Sequence, residues 1–148
     1  MTPPQSSDAG LATSLRISVS RLARRLRNER LAQGLQPELS DTQLSTLAIL
    51  ETHSPMTPGE LAEHEKVQPP SITRVIAVLE ERGLIRRMPH PGDRRQVLLA
   101  VTDHGRDVVG KVRQLRTAWL AQRLRDLSAA ERATLREALP ILEKLSQS

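Results

Sequence analysis

At 148 residues, with 38% hydrophobic and 26% charged side chains, the chain is long enough to bury one compact core and too apolar for a typical disordered segment. It contains no cysteine, which excludes disulfides, thiolate metal sites and a thiol-based redox sensor. Basic residues outnumber acidic ones by 22 to 17, a formal charge of +5 that favours a polyanionic partner.

Residues 1–10 are polar and rich in Pro and Ser, and read as a flexible tail. The stretch from Met1 to Ala12 lacks the basic-then-apolar order of a signal peptide, and no apolar run approaches membrane-spanning length. A cytoplasmic protein with no membrane partner is therefore expected. From Leu11 the apolar positions fall at helical spacing, with Leu15, Val19, Leu22 and Leu26 on one stripe and Arg residues filling much of the remainder. This first helix is expected over about 11–33, with Gly34 and Pro37 breaking it.

Three later helix starts carry explicit capping signals. Ser40 with Gln43, Thr57 with Glu60 and Ser128 with Glu131 each place a hydroxyl three residues before a Gln or Glu. The first opens a helix bearing Leu44, Leu47 and Ala48. The second opens a short helix from Pro58 to about Glu65, with Met56 and Leu61 as flanking staple residues. A loop around Val67 separates it from a third helix, about 69–82, entered through Pro69 and Pro70 and stopped at Gly83.

Beyond Gly83 the period changes to that of strands. Residues 84–101 read as strand, turn and strand, with Val97, Leu99 and Val101 alternating on one face. Two helices finish the chain, over about 103–146. The first carries Val108, Val112, Leu115 and Trp119; the second carries Leu135, Leu139, Leu142 and Leu145, with Pro140 expected to kink or restart it. The fold class predicted is mainly α, a helix-turn-helix followed by a hairpin wing (about 40–102), framed by terminal helices within one domain, 11–148.

The chemistry concentrates in the third helix and the hairpin. On a helical wheel Ile72, Val75, Ile76 and Leu79 share one arc, while Pro70, Thr73, Arg74 and Ala77 share the opposite one. Small and hydrogen-bonding residues around an Arg suit approach to a major-groove floor, where Thr and Arg reach base edges or phosphates. Thr57 and Ser71 lie near helix starts, where hydroxyls and backbone N–H groups can hold phosphate oxygens. The hairpin tip, Gly92-Asp93-Arg94-Arg95, follows Arg86 and Arg87 on the first strand. An Arg on a narrow turn can enter a minor groove, and Asp93 is expected to hold the Arg95 side chain by a charge-assisted pair. Lys occurs only at 66, 111 and 144, so the basic character is nearly all Arg, the residue suited to forked phosphate and guanine contacts. An Arg bias also arises from GC-rich coding, so charge alone decides little.

Asp93-Arg94-Arg95 followed by a hydrophobic strand into Thr102 is similar to the wing pattern of the MarR family, Asp-x-Arg and then Leu-Thr, with Val101 in place of the usual Leu. Ser71 to Arg74 and Leu79 to Gly83 resemble that family's recognition helix and its exit, and Thr57 to Ala62 resembles the helix before it. Pro69-Pro70 is a less usual entry. The resemblance runs from about Leu11 to Leu145. It implies that Ser71, Thr73 and Arg74 meet the major groove, Arg95 the minor groove with Asp93 orienting it, and Arg94 a phosphate or groove. It further implies a homodimer formed through the terminal helices, a near-palindromic duplex DNA operator, and a repressor relieved by a small aromatic or phenolic effector. No residue identifies that effector. His53, His64, His90 and His104 show no paired metal-ligand spacing, so neither a metal nor a cofactor is expected. No nucleophile triad, glycine-rich phosphate loop or zinc motif suggests an enzyme. The competing readings are a winged-helix protein-interaction module and a transcriptional activator of similar fold.

Overall fold

The computed structural model describes residues 7–28, 38–65 and 69–148. In chain order the elements are α1 (Asp8–Asn28), α2 (Asp41–His53), α3 (Pro58–Glu65), α4 (Pro69–Glu81), β1 (Ile85–Pro89), β2 (Val97–Val101), α5 (Asp103–Leu124) and α6 (Ala129–Ser146). Two compact units divide the chain. One combines α1 with Leu115–Ser148; the other runs from α2 through the first half of α5, to Gln114.

In the α2-to-α5 unit, local capping sets the helix starts. Ser40 closes a complete capping box with Gln43, and the Thr57 hydroxyl accepts from the Glu60 N–H at 3.1 Å. The end of α4 is a Schellman motif. Gly83 stands at φ 72°, its N–H donates to Glu80 O at 3.0 Å, and the Leu84 N–H reaches back to Leu79 O at 2.9 Å. Leu79 and Leu84, the apolar pair of that motif, are both fully buried. They join Leu47, Leu50, Leu61, Ile72, Ile76, Ile85 and Leu99 in a single core. Burying a Leu or Ile side chain stabilises by about 1.5–3 kcal/mol each, so this cluster is what seats α4.

The hairpin pairs β1 with β2 antiparallel, Ile85 opposite Val101, Arg87 opposite Leu99 and Pro89 opposite Val97. This register keeps Val97, Leu99 and Val101 on one face, as their alternation predicts. The structure adds an isolated bridge to β2: Met56 and Leu99 exchange both backbone hydrogen bonds, at 3.0 and 2.7 Å. Met56, expected as a staple residue, therefore also extends the sheet. At the entry to α5 the Thr102 hydroxyl donates to Gly83 O at 2.7 Å and accepts from the Gly105 N–H at 3.1 Å. Gly105 is needed for packing, because a Cβ there would lie 2.2 Å from the backbone oxygen of Leu84.

In the other unit, α1 begins at Asp8, where a tail extending to residue 10 was expected. The reason is a cap: the Ser7 hydroxyl accepts from the Gly10 N–H at 3.1 Å. The expected break at Gly34 and Pro37, and the loop around Val67, lie outside the described residues. Trp119 is buried, with the Arg123 guanidinium 3.6 Å and that of Arg25 5.3 Å from its ring centre. Ser128 caps α6 by accepting from the Glu131 N–H at 3.0 Å. The helix then runs unbroken through Pro140 to Ser146. Pro140 thus does not restart it. The ring removes one N–H, and Arg136, four residues earlier, is exposed like Pro140, so water can satisfy the freed carbonyl.

Candidate nucleic-acid interface

Helix α4 is divided as its wheel predicts. Ile72, Ile76 and Leu79 are buried and Val75 is half-buried, while Ser71, Thr73, Arg74 and Ala77 are exposed. The outward face carries one guanidinium among small side chains, with Glu81 exposed at its C-terminal end, so its first turns offer close approach to a polar surface and few groups that must be desolvated against it. The angle of α4 is fixed at its C-terminal end from two sides. Arg82 donates to the Glu38 carbonyl, tying the helix to the segment that precedes α2. Glu80 pairs with Arg87 of β1 at 2.6 Å, tying it to the hairpin.

Helix α3 is fixed on α2 by a polar join. Thr46, fully buried, donates through Oγ1 to Glu65 Oε1 at 3.1 Å, and Ser45 Oγ donates to the same oxygen at 3.3 Å. A buried hydroxyl needs such a partner. The half-buried Thr57 hydroxyl is engaged as the α3 cap, so its first role is local, and any phosphate contact would share that oxygen.

The hairpin tip departs from expectation at Asp93. The Arg95 side chain stands 95% exposed, with Nε 3.8 Å from Asp93 Oδ1, a loose pair worth little in water. The same carboxylate oxygen accepts the Arg95 backbone N–H at 2.9 Å. Asp93 thus orders the turn through the main chain more than through the guanidinium. His90 completes the arrangement: its Nδ1 accepts from the Gly92 and Asp93 N–H groups, both at 3.0 Å. Arg94 is exposed and has no hydrogen bond or ion pair among the described residues. Arg86, also exposed, lies on the sheet face opposite to Arg87.

The structure therefore groups Ser71, Thr73 and Arg74 on one face of α4 and joins Asp93 to Arg95 in one turn. Sequence reading missed His90, the Glu80–Arg87 tie and the Thr102–Gly105 cap. The last was recoverable from the hydroxyl three residues ahead of Gly105. Among the described residues, no three His, Asp or Glu side chains form a metal-binding cluster, and no helix is long and apolar enough to cross a membrane.

A short helix, a seated second helix with Arg74 among small outward side chains, and a hairpin ending in exposed arginines define the winged helix-turn-helix class of DNA-binding proteins. The family model described as "MarR family" matches residues 39–97. Over 143 residues the chain is 46% identical to the HTH-type transcriptional regulator ML2140 of Mycobacterium leprae, covering 96% of this chain and 97% of that protein. It is 30% identical to the HTH-type transcriptional repressor MdtR of Bacillus subtilis, covering 93% and 87%. Among solved structures, that of RV1404 from Mycobacterium tuberculosis superposes with a TM-score of 0.80 at 31% identity, covering 97% of each chain. The chain belongs to the MarR family of winged helix-turn-helix transcriptional regulators.

Proposed function

We propose that this chain is a homodimeric, sequence-specific repressor of transcription, cytoplasmic, with α4 in the major groove and the β1–β2 hairpin in the minor groove. The observation that carries the reading is the α4 surface: an apolar seat in the core on one side, and Ser71, Thr73, Arg74 and Ala77 exposed on the other. Thr73 and Arg74 then read base edges, while Thr57, Ser71 and Arg94 hold phosphates. Arg95 enters the minor groove from a turn stiffened by Asp93. The name of MdtR as a repressor supports repression, and a family of regulators rather than enzymes supports a non-catalytic role.

Dimerisation is supported by the exposed Leu and Ile side chains of α1 and α6. A two-fold dimer presents its recognition helices about 34 Å apart, which calls for a near-palindromic operator. Relief by a small aromatic or phenolic effector follows from family resemblance, through a population shift to a spacing that no longer fits DNA.

Genome-wide footprinting identifies the operator, and fluorescence anisotropy on that duplex then tests the wing. Arg95→Ala is expected to lower affinity at least about tenfold, or 1.4 kcal/mol, with the dimer intact. Unchanged operator binding refutes the minor-groove assignment.

A further inference from the structure

The corner at residues 90–93 lacks the backbone bond that closes an ordinary β-turn. Where a turn would send the Asp93 N–H to the carbonyl of His90, it goes to His90 Nδ1 at 3.0 Å, and the Gly92 N–H goes there too. A Cβ at Gly92 would meet His90 Cε1 at 3.5 Å, an ordinary contact distance, so the ring lies beside this stretch of backbone. Pro91, with φ fixed by its ring, joins the two halves of the corner. Asp93 passes the order on, with Oδ1 accepting the Arg95 N–H at 2.9 Å and its backbone carbonyl the Gln96 N–H at 3.1 Å. The backbone that presents Arg94 and Arg95 is thus anchored to one imidazole nitrogen.

We propose that His90 is the positioning residue of the wing, its Nδ1 acting as the acceptor that fixes the turn from which Arg95 engages DNA. The inference rests on the reading of Arg95 as a DNA contact. Asn and Asp are the usual residues for capping a turn in this way, and His90 takes their place with one difference. A carboxamide oxygen accepts at any pH, whereas imidazole Nδ1 accepts only in the neutral form carrying its proton on Nε2. In the imidazolium form Nδ1–H faces two N–H donors, and both bonds are lost. The charged residues of its own turn are Asp93, Arg94 and Arg95. Among the described residues, no hydrogen bond or ion pair joins the imidazole to another element.

The test compares the parent with Arg95→Ala, His90→Ala and His90→Asn, as full-length proteins on the footprinted operator. Anisotropy titrations are run at one salt concentration and about pH 8. His90→Ala is expected to bind about fivefold more weakly, the worth of about one net hydrogen bond, and His90→Asn within about twofold of the parent. In the free protein, ¹⁵N chemical shifts report the His90 tautomer, and amide exchange at Gly92 and Asp93 is slow in the parent and fast in His90→Ala. If Arg95→Ala binds like the parent, the wing-contact reading fails and the inference with it. If Arg95→Ala is weakened but His90→Ala binds like the parent, the positioning role alone is overturned. It is overturned equally by a His90→Asn variant as weak as His90→Ala.

Discussion

Arg74 is exposed between small neighbours on α4 and makes no hydrogen bond or ion pair among the described residues, so its guanidinium reaches a partner without first breaking a contact. Arg87 differs: its Nε is held 2.6 Å from Glu80 and serves to brace the helix against the hairpin. Two arginines thirteen positions apart thus differ in whether their guanidinium is already engaged, and net charge cannot tell them apart. A forked contact to a guanine edge is worth about 1–3 kcal/mol of discrimination, so Arg74→Ala should lower both operator affinity and base preference. Titration of operator and scrambled duplex at one salt concentration measures this as a ratio of Kd values. A ratio equal to that of the parent shows that α4 is read from a different face. Arg94, as a phosphate contact, should leave the ratio intact and reduce the salt slope of binding by about one.

At the scale of elements, helix starts and stops were legible because their causes are local: Ser40 with Gln43, Thr57 with Glu60 and Ser128 with Glu131 each bond within three residues. Gly83 marks its own stop by a left-handed φ. The α4 surface was legible too, since one helical period divides Ile72 and Ile76 from Thr73 and Ala77. What stayed hidden depends on groups distant in sequence, such as the Met56–Leu99 bridge and the bond from the Val101 N–H to Ser54 Oγ at 3.2 Å. His90 acts locally too, but histidine spacing signals metal ligands more readily than turn acceptors. The join of α2 to α3 belongs with the hidden features. Thr46 looks like a polar interruption in an apolar helix until Glu65 is folded against it. Thr46→Val keeps the shape, removes the buried donor and leaves Glu65 with Ser45 alone, so it should cost about 1–2 kcal/mol in a urea unfolding series. Stability equal to the parent means that the hydroxyl contributes no net energy and that packing alone sets the α2–α3 angle.

At the scale of the whole molecule, α6 is an 18-residue helix without one buried residue, although it carries an apolar stripe. Leu135, Leu139, Ile141, Leu142 and Leu145 are between 37% and 62% exposed, and on α1 Leu11, Val19 and Leu22 are between 45% and 60%. A monomer rarely leaves so many large side chains in water on neighbouring turns of the same helices. Each is about half exposed, so covering it is worth roughly 1 kcal/mol, and two-fold symmetry counts every contact twice against the cost of association. The stripe therefore has a second copy of the chain as its natural cover. Leu139→Glu combined with Leu142→Glu puts charge into that seam without touching the buried core of either unit. Sedimentation should show the parent as a dimer and the double variant as a monomer with unchanged helical circular dichroism. Operator affinity should fall by about 10²–10⁴, because the second half-site then loses its high effective concentration. A variant that remains dimeric locates the interface elsewhere. One that is monomeric but binds the operator as tightly as the parent shows instead that a single recognition helix and wing suffice.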